Sequence, residues 1–322
     1  AVRFEDFEDF GSTTNWKLTG RYQFNDELAL RGAVSTGFRA PTPGQSNATQ
    51  VVTSFIDGQL RDSATLSPTH PISQRFGGRQ LQPEESTNAS LGLVWNSGPW
   101  LATVDYYRIE VEDRIALTGD FEITDADRTA LVASGVADAL SYERVRFFIN
   151  DFDTTTQGVD VVVSYDTDHF GGQTTYSLAA NWTKTEVDKF TPAYFTETRV
   201  QILEETVPNT KGIFSINHER DNWRGNVRFG YYGSYYEDHA DSGALLPEDD
   251  GLPIYDDSAV IVDAEIGYKW DMGLYVNVGA QNLFDKYPTK NPWADVLGAQ
   301  YPAHSPYGFN GGLYYVRVGY TF

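Results

Sequence analysis

The chain contains no cysteine among its 322 residues. That excludes disulfide frameworks, thiolate zinc sites and cysteine nucleophiles. Basic residues are scarce, 24 Lys and Arg against 45 Asp and Glu, for a net charge of −21. A nucleic-acid partner is excluded with them, because phosphate binding needs a basic face to displace counterions. No apolar run approaches the roughly 20 residues of a membrane helix, and mean hydropathy is −0.42. Helical periodicity is nearly absent as well. On these grounds alone the chain reads as an acidic soluble protein, either two or three domains or one large β domain. Against that stand an aromatic content of 14 %, with 20 Tyr, and 29 Gly. The first residues, Ala1-Val2-Arg3-Phe4, carry no initiator Met and no signal-peptide pattern, and they already read as mid-strand. The expectation is a piece of a longer protein.

Alternation of period two runs along the whole chain, and it marks strands with two unlike faces. At the C-terminus Tyr314, Val316, Val318, Tyr320 and Phe322 share one face, with Tyr315, Arg317, Gly319 and Thr321 on the other. Val260, Val262, Ala264, Ile266 and Tyr268 likewise oppose Ile261, Asp263, Glu265, Gly267 and Lys269. The same reading upstream predicts about twelve strands of about 10–14 residues, longer than the usual globular mode and long enough to cross a bilayer at a tilt. Alternation alone leaves a soluble sandwich open.

The connections separate the two cases. Short ones, Asn25-Asp26-Glu27, Asn96-Ser97-Gly98, His169-Phe170-Gly171-Gly172, Arg220-Asp221-Asn222 and Asp271-Met272-Gly273, alternate with long ones near 40–83, 113–153, 187–207, 237–257 and 284–311. Structureless loops of such length are uncommon in compact soluble domains. Short turns at one rim and long loops at the other mark an outer-membrane barrel. Phe24, Trp95, Trp100, Tyr165, Trp223, Tyr268, Trp270 and Phe322 fall on the apolar faces beside the short turns, where an interfacial aromatic girdle belongs. The fold class expected is therefore all-β, a transmembrane antiparallel β-barrel.

Five segments then carry a family resemblance. Ser35-Thr36-Gly37-Phe38-Arg39-Ala40-Pro41, Leu81-Gln82-Pro83-Glu84-Glu85-Ser86, Thr156-Gln157-Gly158-Val159-Asp160, Asn282-Leu283-Phe284-Asp285-Lys286-Tyr287 and Val318-Gly319-Tyr320-Thr321-Phe322 resemble, in order, motifs of TonB-dependent outer-membrane receptors. The resemblance covers essentially the whole chain. It implies that residues 1–322 form about twelve C-terminal strands of a 22-stranded barrel in the Gram-negative outer membrane, without the plug and TonB box. It implies TonB-energised uptake of a scarce ligand such as a ferric siderophore, with cobalamin, an oligosaccharide or a passive porin-like channel as alternatives. Expected partners are a small-molecule ligand at the extracellular loops, the TonB complex through an N-terminal region absent here, and outer-membrane lipid and lipopolysaccharide.

Candidate site residues follow from the loops. Aromatics cluster at Tyr231, Tyr232, Tyr235, Tyr236, Trp293, Tyr301 and Tyr307, and flat rings suit a planar ligand or a sugar. Tyr235, Tyr236, His239, Trp293 and Tyr301 are the expected ligand contacts. The loop at 237–257 carries Glu237, Asp238, Asp256 and Asp257 among other acids and no Lys or Arg. No spacing there matches a calcium loop, so it reads as a solvated acidic surface, and no metal or cofactor is assigned. The loop at 40–83 is slightly basic, with Arg61, Arg75 and Arg79 against Asp57 and Asp62. Thr124-Asp125-Ala126-Asp127 has the form of a capping box ahead of Ala130, Leu131 and Val132, with Gly135 as the stop. That helix would gate the mouth or simply order a long loop. The inward faces are charged, with Lys17, Arg21, Arg31, Asp160, Arg224, Arg228, Asp263, Glu265, Lys269 and Arg317. No Ser-His-carboxylate set converges, and an enzyme is not expected.

Overall fold

In the computed structural model, residues 1–7, 10–56, 59–238 and 252–321 are described. His239 and Phe322, two of the positions singled out above, lie outside the described residues. Along the chain run β1 (Val2–Phe7), β2 (Gly11–Gln23), β3 (Leu28–Arg39), α1 (Pro43–Asn47), β4 (Gln50–Ile56), β5 (Gln59–Thr65), α2 (Pro71–Arg75), β6 (Glu84–Ser97) and β7 (Trp100–Leu117). They are followed by β8 (Phe121–Glu122), α3 (Asp125–Ala133), a 3₁₀ turn (Ala137–Leu140), β9 (Arg144–Arg146), β10 (Phe148–His169), β11 (Gly172–Lys189), α4 (Glu197–Glu205), β12 (Thr210–Arg220) and β13 (Trp223–Tyr232). The chain closes with β14 (Tyr235–Glu237), β15 (Ile254–Asp256), β16 (Ala259–Lys269), β17 (Leu274–Gln281), α5 (Ala294–Leu297) and β18 (Leu313–Tyr320). No helix among the described residues is long and apolar enough to cross a membrane.

Twelve of the strands make one antiparallel sheet in the order β1-β2-β3-β6-β7-β10-β11-β12-β13-β16-β17-β18, each paired with its neighbour along the chain. The number of wall strands and the five short turns are as the alternation predicts, whereas the six short strands within the long connections were not foreseen. Strand length is not, because β10 runs 22 residues and β7 and β11 run 18 each. The long connections accordingly shrink, from 113–153 to 118–147 in the clearest case. Register shifts at Asn150/Phe152 and Phe152/Thr154, and a left-handed Asp113, break the period of two there while the pairing continues. One connection departs from the alternation of short and long. β1 and β2 meet at the long-loop rim with Phe7 opposite Gly11.

The outer face of the wall is apolar and bare. Val316 is 66 % exposed and Val318 64 %, values that a water-facing strand of a soluble domain avoids in series. The girdle expected beside the short turns is present as ring contacts: Trp100 lies 4.2 Å from Tyr165, Trp223 lies 4.8 Å from Tyr268, and Tyr268 lies 4.7 Å from Trp270. The inner face is polar and cross-strand paired. Arg31 forks onto Asp105 at 2.8 and 2.5 Å, Arg228 binds Asp263, and Asn181 donates to Asp160 at 2.7 Å. Polar inside and apolar outside is the inverse of a soluble core, as a lipid-facing wall requires.

Candidate functional site

The long connections build two bodies over the same rim. In the first, β4, β5, β9 and β8 form a four-stranded sheet, with β5 and β9 parallel. The residues that hold it are apolar. Ala64, Leu66, Ile72, Ile123, Leu131, Ala139 and Val145 form one buried cluster, and Phe147, Ile149, Phe152 and Phe195 form a second. Phe121 stacks on Phe147 at 5.7 Å and on Phe76 at 5.3 Å. Helix α3 is the one predicted at 124–135. Thr124 accepts the Asp127 N–H at 3.2 Å, and Asp127 accepts the Thr124 hydroxyl at 2.6 Å. That hydroxyl, with help from Arg75 at 3.0 Å, holds the Asp127 carboxyl below its ordinary range. The helix is packed into the body through Leu131, and it orders the loop. The basic residues of 40–83 are engaged: Arg61 binds Glu143 at 2.9 Å, and Arg79 donates to the Asn150 carbonyl at 2.9 Å.

In the second body, β14 pairs with β15, and the connection 282–312 folds against that hairpin. Its buried anchors are carboxylates. Glu237, 2 % exposed, accepts the Ala303 and His304 backbone N–H groups at 3.0 and 2.9 Å and lies 3.1 Å from His304 Nδ1. Asp256, 3 % exposed, accepts from Thr289 N at 2.7 Å and from the Tyr307 hydroxyl at 3.2 Å. Asp238 accepts from Leu252 N at 2.7 Å and the Tyr236 hydroxyl at 2.6 Å. The expectation of a solvated acidic surface is therefore corrected at these positions. The carboxylates turn inward because backbone N–H groups of the partner loop have no strand to bond with and need acceptors. Among the described residues, no group of three or more His, Asp or Glu converges to hold a metal.

The expected ligand contacts divide. Tyr235 and Tyr236 are buried inside this body. Burial first, then Asp256 for Tyr235 and Asp238 for Tyr236, push both phenols up, and burial and Asp256 do the same to Tyr307. Trp293 is half-buried and donates from its ring N–H to the Pro253 carbonyl at 3.0 Å. Tyr301 stacks on Tyr287 at 5.4 Å. His239 lies outside the described residues. Tyr255 and Phe309 are exposed rings that the aromatic cluster above does not include, and Phe284 of the Asn282–Tyr287 motif is exposed as well.

The motif residues resolve into structural roles. Arg39 forks onto Glu84, with Nε–Oε2 at 2.8 Å, and Glu84 also accepts Ile115 N at 2.8 Å. Two motifs that flank a long connection thus close its base, with Ala40 and Pro41 leaving the strand just above. Gly158 admits the Tyr107 ring across its backbone, since a Cβ there would lie 2.4 Å from the hydroxyl. Asn282 takes a left-handed turn, accepts from Lys286 N at 2.9 Å and donates to Lys286 O at 2.7 Å. Its neighbour Leu283 bonds back to Val262 O at 2.7 Å, and Asp285 accepts Gly312 N at 2.7 Å. The closing Phe322 lies outside the described residues.

Comparison with known proteins agrees with this architecture. Residues 1–283 match the family model described as TonB dependent receptor-like, beta-barrel. The vitamin B12 transporter BtuB of Photobacterium profundum is 22 % identical over 309 residues, spanning 96 % of this chain and 40 % of that protein. The siderophore receptor PirA of Acinetobacter baumannii superposes over 100 % of this chain and 43 % of its own, with a TM-score of 0.63 and 18 % identity. A ferric enterobactin receptor mutant of Pseudomonas aeruginosa (PfeA), solved in complex with enterobactin, covers 98 % of this chain and 42 % of its own at a TM-score of 0.65 and 14 % identity. The chain thus spans under half the length of these relatives.

Proposed function

The chain belongs to the TonB-dependent receptor β-barrel family, whose barrels lie in the Gram-negative outer membrane, and from that premise we propose that residues 1–322 are the C-terminal portion of the barrel of an energised uptake receptor. The family is one of receptors and transporters, and we read this member as non-enzymatic. Its cargo in this reading is a scarce ligand such as a ferric siderophore, captured at the extracellular loops and admitted when TonB acts on a region outside this chain. The observation that carries the reading is the pair of built bodies over one rim of a wall with a charged inner face. A passive pore has less need of loops with cores of their own.

Trp293 and Tyr301, with Tyr287 stacked on Tyr301 and Tyr255 on Tyr236, form the ligand platform in this proposal, and the buried Tyr235 and Tyr236 belong to the same body. Cobalamin is the second reading, favoured by the match to a vitamin B12 transporter along 96 % of the chain. The test is uptake and binding by the full-length protein over ferric-siderophore, cobalamin and glycan panels, in cells with and without TonB. Saturable, TonB-dependent uptake of an iron chelate is expected. Uptake of cobalamin alone would install the second reading, and unsaturable flux without TonB would make the protein a passive channel.

A further inference from the structure

β12 reaches the short-turn rim with Ile216, His218 and Arg220 on the outer face, opposite Val227, Gly225 and Trp223. An imidazole and a guanidinium therefore stand on the side of the wall that meets lipid. Thr174, 1 % exposed, is directly opposite His218, and its hydroxyl lies 2.8 Å from His218 Nδ1. Phe170 of the neighbouring turn stands edge-on to the His218 ring at 6.2 Å, and its carbonyl accepts from Arg220 at 3.3 Å. None of these contacts uses His218 Nε2. Arg220 has one ion-pair partner among the described residues, Asp221 of the adjoining turn at 3.6 Å, and both side chains are more than half exposed. The outer-face neighbours on the adjacent strands, Thr174, Tyr176, Gly225 and Trp223, include no carboxylate.

From His218 an apolar groove of about 670 Å³ crosses the outer wall to β18. Two register rows form it. Gly225, Ile266, Val278 and Val316 are one, and Val227, Ala264, Ala280 and Tyr314 are the next. Gly225, Ala264 and Ala280 are its low points, with the larger side chains standing beside them. Asn226 and Glu265 border the groove but are engaged on the inner face, where Asn226 donates to Asn217 at 2.6 Å and Glu265 accepts from the Tyr315 hydroxyl at 2.8 Å. The rows climb away from the rim. Arg220 ends β12 and Trp223 opens β13, whereas Tyr268 and Val276 of the same row already lie inside β16 and β17. Crossing from β12 to β18 takes four steps of about 4.8 Å, roughly 19 Å in all. At the usual strand tilt that is a rise of about 12 Å, within the roughly 15 Å of one leaflet.

We propose that this groove and the two residues at its foot bind one anionic glycerophospholipid of the periplasmic leaflet. Short turns face the periplasm in such barrels, which puts His218 and Arg220 at headgroup depth beside Trp223 and Tyr268 of the girdle. The Arg220 fork takes the phosphate oxygens, for which its planar geometry is suited. His218 donates from Nε2–H to the same phosphate while the Thr174 hydroxyl donates to Nδ1. One acyl chain lies over Gly225, Ala264 and Ala280. Charge selects the occupant, because a net anionic headgroup complements a guanidinium and an imidazole on neighbouring strands that present no carboxylate there. The inference rests on the outer face meeting lipid, and it is independent of which cargo the receptor takes.

The test reads retained lipid by native mass spectrometry of the full-length protein released from mixed micelles. Its probes are phosphatidylglycerol, phosphatidylcholine and glycerol phosphate. One phosphatidylglycerol per protein is expected, held saturably and about tenfold tighter than phosphatidylcholine, with glycerol phosphate not retained. Arg220→Gln should bring phosphatidylglycerol down to the phosphatidylcholine level. Gly225→Leu should weaken both lipids about tenfold by filling the groove, and a Cβ at Gly225 meets nothing within 4 Å, so the wall has room for it. Arg108→Gln, on the same face nearer the long-loop rim, should change nothing. Equal retention of both lipids, unaltered by Gly225→Leu, means annular lipid only and overturns the site. Retention of glycerol phosphate at the level of phosphatidylglycerol overturns the acyl chain in the groove. Self-association that Gly225→Leu abolishes, with no lipid retained, overturns the lipid in favour of a second copy. If Gly225→Leu does not fold, Gly225→Val replaces it, since a β-branched residue suits a strand, and Arg220→Gln decides the headgroup in either case. Uptake by the same variants reads the receptor separately, so failure of the lipid site and failure of the uptake reading are distinguishable.

Discussion

The two bodies over the mouth solve one problem by different chemistry. Each must order 25 or more residues above a rigid wall, against a backbone entropy of about 1–2 kcal/mol per residue. The body built from 40–83 and 118–147 does so as a small domain would, with Phe147, Ile123 and Val145 fully buried. The body built from 233–238, 252–258 and 282–312 has short strands and instead ties backbone N–H groups to Glu237, Asp238 and Asp256. Helix α4 packs against β11 and β14, and its Leu203 lies against the Phe147 cluster, so it touches both bodies. Apolar burial is tolerant of geometry. Carboxylate anchoring is directional, so the second body is the one most sensitive to the loss of a single acceptor.

The largest expected effect breaks the first body. Phe147→Ala should cost about 3–5 kcal/mol of local stability, read as faster hydrogen exchange through 118–147 with little change at 282–312. Equal loosening of both would show that they are one unit. Next, Glu237→Gln keeps the shape and removes the charge from the bonds to Ala303 and His304, which should cost about 1.5–3 kcal/mol. The readout is exchange at those two amides, and the first body should not notice.

Titration sharpens the contrast. Tyr235, Tyr236 and Tyr307 have folded pKa values above the ordinary phenol value of about 10. A raised folded value means stability fully present below that ordinary value and lost as pH rises above it toward the folded one. The second body should therefore loosen at alkaline pH, as tyrosinate absorbance rises. Asp127 is shifted the other way, so its contribution to α3 is present above the usual carboxylate range and lost as pH falls through its lowered folded pKa. Acid should thus fray α3 while the apolar clusters beneath it persist, which exchange at the first turn of α3 would show. The smallest effect is Trp293→Phe, which removes one bond to Pro253 and should cost about 1 kcal/mol, read as a small rise in exchange near 293.

Much of the wall was legible because its physics is local. A lipid-facing residue at every second position, as in Val316 and Val318, needs no knowledge of partners. Thr124 and Asp127 were legible for the same reason, since a capping box is closed within four residues. The mouth was not. Tyr235 and Trp293 lie in a single aromatic cluster by composition, and one is buried while the other is half-exposed. Which way a ring turns depends on a distant loop, as for Trp293, whose partner Pro253 is 40 residues away along the chain. The strand ends near Asp113 and Phe152 were misplaced because bulges hide continued pairing from a test of alternation.

The amino-acid sequence by itself determined the number of wall strands, their order, the two faces and the rim that carries the long loops, because alternation and turn chemistry act over a few neighbouring residues. Only the tertiary structure decided that Glu237 and Asp256 point inward, that Arg39 meets Glu84 across a connection of more than 40 residues, and that Gly225, Ala264 and Ala280 line one groove with His218 at its foot. Those are contacts between distant segments, and register across a sheet is set by all its strands together.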